Sequence, residues 1–385
     1  MLKMGATGKK ISEIAFWAGI ICELAVSPSG YVFGGYNEKI IILAGMLCFS
    51  VSLLFSADIK KDWKAILPVC GFGVLCFVMQ RRALILRIAL FLLAASGREV
   101  KKIVKLFFYG SFGIMLLGII AAVTGDNNPM YLEELFRHEV ERRYTFGFFH
   151  PNGFSFFWVR QFIMFVYLYR EKLKISVMLI IEAAGVIPLL LSRSKMALAL
   201  YFLIIMCDLF LRIPALKEKP EKILYIAGNI MLAAELILIY TLGIIPYPEA
   251  NIGEVNNIWD LMNEATSGRL WHARDAFLSQ TPGILGLKEV KEGTEIGFVN
   301  SFYHEGVLFI VIYVVLLFYL MYKMHKAKDT AGMLLILSFS FYALAESFLP
   351  YVNKNMIWIV AAAYLPWQLC EKPVDLRDEH SLKSR

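Results

Sequence analysis

Apolar stretches of about 16 to 24 residues alternate with short polar breaks along most of this chain, which is the rhythm of membrane-crossing helices. Hydropathy predicts about twelve spans, over 11–29, 40–57, 65–80, 83–97, 103–124, 153–169, 175–191, 195–212, 223–245, 299–322, 331–349 and 355–370. Only "QRR" separates the third and fourth, and Arg87 lies inside the fourth. Two breaks are long, 126–152 and 246–298, and long loops in a compact protein are usually functional or disordered. Both carry apolar and aromatic residues, "MYLEELF" and "IWDLM" among them, so short helices lying against the membrane surface are predicted in each. The expected fold is all-α: one polytopic transmembrane helix bundle, residues 1–385 as a single integral membrane domain, with two long outer loops.

Charge sets the orientation. The basic breaks "ADIKKDWK", "GREVKKIVK", "YREKLK", "RIPALKEKPEK" and "MYKMHKAK" all fall on one side of the twelve-span scheme, together with both termini. That side holds about 24 basic residues against about 13 opposite, so it is assigned to the cytoplasm by the positive-inside rule. The formal charge of +7 is spread over these breaks and does not point to nucleic acid.

Composition agrees. Of the 385 residues, 58% are hydrophobic and 18% charged, too little polar surface for a soluble protein of this length. The first apolar stretch carries Glu13 and Glu23 and lacks a clear small-residue cleavage site, so it reads as a retained helix rather than a cleaved signal. The six cysteines lie in or at the ends of apolar segments, without metal-ligand spacing next to histidine, so neither disulfides nor a metal site is expected.

Lysine and arginine divide unequally between the sides. The inner breaks carry about 19 Lys and 5 Arg, the outer ones about 5 Lys and 8 Arg. The outer arginines oppose the orientation rule and need another reason. Guanidinium is planar, always charged and grips phosphate oxygens in two-pronged fashion, so a phosphate or carboxylate ligand is indicated outside. The alternative is that individual arginines pair with Glu139, Glu141, Glu264 or Asp275. Arg193 has no acidic residue near it in sequence.

Four outer-side stretches stand out: "RRYTFGFFHPNG", "LSRSKMA", "SGRLWHARDAFLSQTPGILG" and "EIGFVNSFYHEG". In order and spacing they resemble the Wzy-type polysaccharide polymerase and O-antigen ligase superfamily. Arg143, Gly147, Pro151 and Asn152 match an arginine, a glycine and a Pro-Asn pair ahead of a span. Ser192 and Arg193 match a Ser-Arg turn. Ser267, Gly268, Arg269, Trp271, Pro282 and Gly286 match the large outer loop, and Gly306 a glycine about ten residues after a polar stretch. The resemblance covers roughly residues 142 to 320. Glu295 and Ile296 depart from it, standing where Asp and Asn are common.

The resemblance implies a donor glycan carried on a polyprenyl (undecaprenyl) diphosphate. A hydroxyl of a second lipid-linked unit attacks the anomeric carbon, and the lipid diphosphate leaves. No cofactor and no metal are implied. Arg143, Arg193 and Arg269 are the candidates to hold the diphosphate, with Arg142 as a substitute for Arg143. Arg160, about 12 Å into the sixth span, is either a further phosphate ligand or the partner of a buried acid. His304, beside Glu305, is the candidate general base. His150 is expected to shape the turn before Pro151, and Asn152 to cap the sixth helix. The aromatics around residues 144–158 read as an interface belt or as a lipid or sugar surface.

The expected activity is polymerisation of repeat units into a capsular, exopolysaccharide or O-antigen chain at the outer face of a bacterial cytoplasmic membrane. The expected partners are lipid-linked donor and acceptor, membrane lipid, a chain-length regulator and a flippase. The alternatives are a ligase, against which the absence of its His-Asn motif counts, and a transporter of the same lipid-linked units.

Overall fold

The computed structural model describes residues 6–26, 32, 37–57, 59–125, 128–136, 139–213, 220–244, 260, 263, 266, 268–291 and 293–365. The described residues form fourteen helices and one two-stranded sheet. In chain order these are α1 (Ala6–Val26), α2 (Glu38–Ser56), α3 (Ile59–Gln80), α4 (Leu84–Ala95), α5 (Val100–Thr124), β1 (Tyr131–Phe136), β2 (Glu139–Tyr144), α6 (Pro151–Tyr169), α7 (Ile175–Ser192) and α8 (Lys195–Phe210). There follow α9 (Pro220–Ile244), α10 (Arg269–Ser279), α11 (Gly297–His304), α12 (Val307–Ala327), α13 (Thr330–Tyr342) and α14 (Met356–Tyr364). Among the described residues, six stretches are long and apolar enough to cross a membrane: Glu38–Ser56, Asp62–Gln80, Val100–Thr124, Ile175–Ser192, Pro220–Ile239 and Val307–Ala327. The protein is thus a mostly helical, multi-pass membrane protein.

These helices keep much apolar surface outside, as a helix facing lipid does. On α2 the exposed residues Ile40, Leu43, Leu47, Val51 and Leu54 recur at three- and four-residue steps, a continuous stripe on one face. The opposite face, with Gly45, Phe49, Ser52 and Leu53, is buried.

Three expectations need correction. The first long loop was predicted to hold short helices, but Tyr131–Phe136 and Glu139–Tyr144 form an antiparallel hairpin. Its register explains why. Tyr131 faces Tyr144, with ring centroids 5.9 Å apart, and Glu133 faces Arg142, with an ion pair of 2.9 Å. Each such cross-strand pair stabilises by about 0.2–1 kcal/mol, and a helix would separate them. The tenth span was predicted as one run over 299–322. Gly306, at φ 100°, breaks it, so α11 is a separate short helix and the spanning helix begins at Val307. The eleventh, over 331–349, stops as a helix at Tyr342. Its 13 residues reach about 20 Å at 1.5 Å each, short of the roughly 30 Å hydrocarbon core. The second long loop does carry a short helix, α10; its 246–259 stretch lies outside the described residues.

The chain divides into two compact units. The first comprises residues 1–70, 87–218 and 352–385, the second 71–86 and 219–351. In the first, α1 packs on α2 through small residues. A Cβ on Gly19 would come 2.6 Å from the Phe49 ring, and one on Gly45 would come 3.1 Å from the Cys22 side chain, so the close approach needs glycine. Inside this unit Arg87, 1% exposed, pairs in two-pronged fashion with Glu23, its Nε donating at 2.6 Å. A charge buried this deeply is costly unless it is paired or hydrogen-bonded. Helix α6 is largely enclosed, with Phe154, Phe157, Val159, Ile163 and Met164 all buried. The second unit gathers Leu270, Ala273, Ala276, Ile296, Val299 and Tyr303 into one core that joins α10 to α11.

Candidate functional site

In the first unit the hairpin, the start of α6 and the turn between α7 and α8 come together. Side chains alternate along a strand, so adjacent residues face opposite ways. Arg142 lies on the face with Tyr131 and Glu133; its guanidinium stacks 4.3 Å over the Tyr131 ring and is half-exposed. Arg143 lies on the other face. Its Nε donates to the Ser192 carbonyl at 3.3 Å and its Nη2 to Asn152 Oδ1 at 2.9 Å. The register thus separates the two arginines that the sequence left interchangeable.

Local backbone fixes these positions. After β2 the chain turns through Phe146 and Gly147, at φ 51° and 84°. A Cβ on Gly147 would run into the carbonyl of Gly118 in α5, so glycine is required there. Pro151 then occupies the first helical turn, where its missing N–H costs nothing. The expected cap is corrected: His150, not Asn152, caps α6, its Nδ1 accepting from the Asn152 amide at 3.1 Å. That leaves the Asn152 side chain for Arg143. Ser192 is buried and its hydroxyl meets that of Ser155 at 2.7 Å. Arg193 follows at φ 53°, a left-handed residue closing α7, and its guanidinium reaches Glu141 of β2 at 3.2 Å. Sequence offered Arg193 no acidic neighbour; the hairpin supplies one.

Arg160, in α6, is fully buried. It donates to the Asn353 carbonyl and the Ser111 hydroxyl and lies 4.7 Å from the Phe157 ring centre. Among the described residues no carboxylate pairs with it. Of the buried acids in this unit, Asp208 binds Arg170 and Arg212, and neither oxygen of Glu182 has a hydrogen-bond partner.

The second unit holds the remaining candidates. Gly268, at φ 83°, turns the chain into α10, so Arg269 is its first residue, almost buried at 7% exposure. Its Nε pairs with Glu295, and its Nη2 lies 3.6 Å from Glu346. Glu295 is therefore the partner of Arg269. Trp271 is partly exposed, its amide donating to Asn263 at 3.0 Å. Ser267 lies outside the described residues.

The glycines of the third and fourth motifs meet in this unit. Gly286, at φ 87°, sits against the His304 carbonyl, and Gly306 sits against the Gly286 amide and the Ile284 carbonyl. Val307 and Leu308 donate to the carbonyls of Gly283 and Ile284 at 3.1 Å each. This places His304 and Glu305 at the end of α11, outside the spanning helix. Gln80, at the end of α3, donates to the Leu285 carbonyl and to the Glu305 carbonyl at 3.1 Å. Arg82 contacts His304 Nδ1. Burial first, and Arg82 second, push the His304 imidazole down to about 4. Burial pushes the Glu305 carboxyl up to about 8, and its Oε2 has no hydrogen-bond partner.

Sequence reasoning missed Gln80, Arg82, Ser155 and Glu346. In sequence "QRR" is only a thin separator, and Glu346 falls inside a predicted span. Among the described residues no group of His, Cys, Asp or Glu is arranged to hold a metal ion. No family model, curated protein or solved structure matches the chain.

Proposed function

We propose that this chain is a membrane glycosyltransferase that joins lipid-diphosphate-linked oligosaccharide units into a polysaccharide, of the kind its motifs resemble. The observation that carries the reading is Arg143. Three motif elements separated in sequence, the hairpin arginine, Asn152 and the Ser192 turn, come to one point, where the Asn152 side chain and the Ser192 carbonyl aim a guanidinium. A leaving group with two or three negative charges calls for such preorganised cations. In the reaction the acceptor hydroxyl oxygen bonds to the anomeric carbon, the bond from that carbon to the diphosphate oxygen breaks with its electron pair on the diphosphate, and the hydroxyl proton passes to solvent. Arg143 and Arg193 are the diphosphate ligands of the first unit, and Arg269 is the guanidinium of the second. The reading includes twelve spans, both termini cytoplasmic, and the hairpin and α10 on the outer side of a bacterial cytoplasmic membrane.

The test is genetic and biochemical. Cells lacking the gene keep single repeat units and lose the ladder of longer chains; an unchanged ladder removes the reading. Loss of glycan transfer to a final acceptor, with the lipid-linked ladder intact, identifies a ligase instead. Cysteines placed at the exposed positions Val140 and Leu278 react with an impermeant thiol reagent in intact cells lacking an outer membrane barrier. Protection of both overturns the orientation.

A further inference from the structure

The "QRR" break does more than separate two spans. Helix α3 ends at Gln80, whose side chain ties it to the carbonyls of Leu285 and Glu305. Arg81, at φ 60°, turns the chain out of the helix, and its amide still reaches the Phe77 carbonyl at 2.9 Å. Arg82 is thereby delivered to His304. The far side is held as firmly: Glu305 and Gly306 amides donate to the Ser301 carbonyl at 2.8 and 3.0 Å, and the Leu287 amide donates to the Tyr303 carbonyl at 2.8 Å.

The contact runs from Arg82 Nη1 to His304 Nδ1. A guanidinium has only donors and does not lose its proton in proteins, so Nδ1 must present its lone pair. A neutral imidazole accepting at Nδ1 carries its hydrogen on Nε2. Among the described residues no acceptor meets that Nε2–H. We infer that Arg82 is a positioning residue that fixes His304 as an Nε2–H donor to an anionic oxygen of the lipid-linked diphosphate, so that His304 is not the general base.

This rests on the function proposed above. It changes the role that sequence assigned to His304. To accept a proton the imidazole would have to release Arg82 and stand as a second cation against it. The charged group facing it is Arg82, from the turn after α3; Glu305 is next in the chain. With His304 pushed down to about 4 and Glu305 up to about 8, both are mainly uncharged at neutral pH. The environment keeps a donor and suppresses a base.

The experiment uses the full chain in lipid nanodiscs with nitrogen-15-labelled histidine, the His304 signals being assigned by their loss in His304→Gln. Nδ1 is expected to be unprotonated and Nε2 protonated from pH 5 to 8. Added inorganic pyrophosphate is expected to move the Nε2–H signal. Arg82→Met is expected to raise the titration from about 4 toward the ordinary histidine value of about 6.5 without reaching it, because burial remains. A protonated Nδ1 in the native protein, a signal that ignores pyrophosphate, or titration unchanged in Arg82→Met overturns the inference. Activity gives an independent arm. A glutamine amide donates but does not take a proton at neutral pH, so His304→Gln should keep chain extension within about tenfold while His304→Ala loses about 100-fold, the lower range for removing one preorganised donor to developing charge. Equal loss in both assigns the base role back to His304. If the native protein extends no chains, the proposed function fails, while the tautomer and pyrophosphate results still decide the arrangement.

Discussion

Arg142 and Arg143 are neighbours in sequence that face opposite sides of one hairpin, the first stacked on Tyr131 and paired with Glu133, the second bound by Asn152 and the Ser192 carbonyl. Their substitutions should therefore differ. Arg142 is half-exposed, and exposed ion pairs stabilise by at most about 1 kcal/mol, so Arg142→Ala should leave chain extension within about twofold. Arg143→Ala removes a charge-assisted donor of roughly 1.5–3 kcal/mol and should cost tenfold or more. Chain-length distributions at matched protein levels measure both. Equal effects would remove the distinction drawn from the register.

On the proposed function, Glu295 competes with phosphate for Arg269. The carboxylate is mostly exposed, at 61%, while Arg269 is nearly buried. Glu295→Gln should leave thermal stability almost unchanged, as expected for a half-exposed pair, and should lower the apparent KM for the lipid-linked donor. Arg269→Met should instead destabilise, because it abandons Glu346 beside it. A raised KM in Glu295→Gln would mean that the carboxylate orients Arg269 rather than competing for it.

Gly286 and Gly306 are predicted to tolerate no side chain. Each sits at positive φ and each meets main-chain atoms where a Cβ would go. Gly286→Ala or Gly306→Ala should lower stability by more than about 2 kcal/mol, the range of backbone strain combined with overpacking. Gly113→Ala is the internal control, since nothing lies within 4 Å of its added Cβ, and it should be neutral or slightly stabilising. Thermal denaturation in detergent ranks the three.

Glu305 should make stability depend on pH. Its carboxyl is raised by burial from the ordinary 4.5 to about 8, so between those values the folded state binds more protons than the unfolded one. Its contribution is complete below about 4.5 and is lost as pH rises through about 8, with a slope of at most about 1.4 kcal/mol per pH unit. Denaturation temperatures from pH 5 to 9 should fall more steeply in the native protein than in Glu305→Gln. Parallel curves would show that another group carries the dependence.

The sequence made the membrane helices legible because burial in lipid demands long apolar runs, and those runs are local. Helices α2, α5, α7 and α12 all fall within predicted spans or overlap them closely. It misled where the deciding contact was distant. The 131–144 stretch has enough leucine and phenylalanine to suggest a helix, yet cross-strand pairing of Glu133 with Arg142 won. The partner of Arg193 is Glu141, 52 positions away by numbering, so no local search reveals it. Asn152 was given the capping role because capping preferences are local; the hydrogen bond it makes instead belongs to Arg143. Gly147, Gly286 and Gly306 were marked as motif letters, but only the fold shows that each is a place where two main chains touch.

That last feature has a hereditary consequence. Contacting positions ordinarily leave a joint record in descendants, because a larger residue on one side is accommodated by a smaller one on the other. At Gly286 and Gly306 the obstruction is carbonyl and amide, which no substitution removes. The two positions are expected to be fixed separately across any lineage that keeps this turn. A search for correlated change, the usual signature of proximity, would find none at one of the tightest approaches in the molecule.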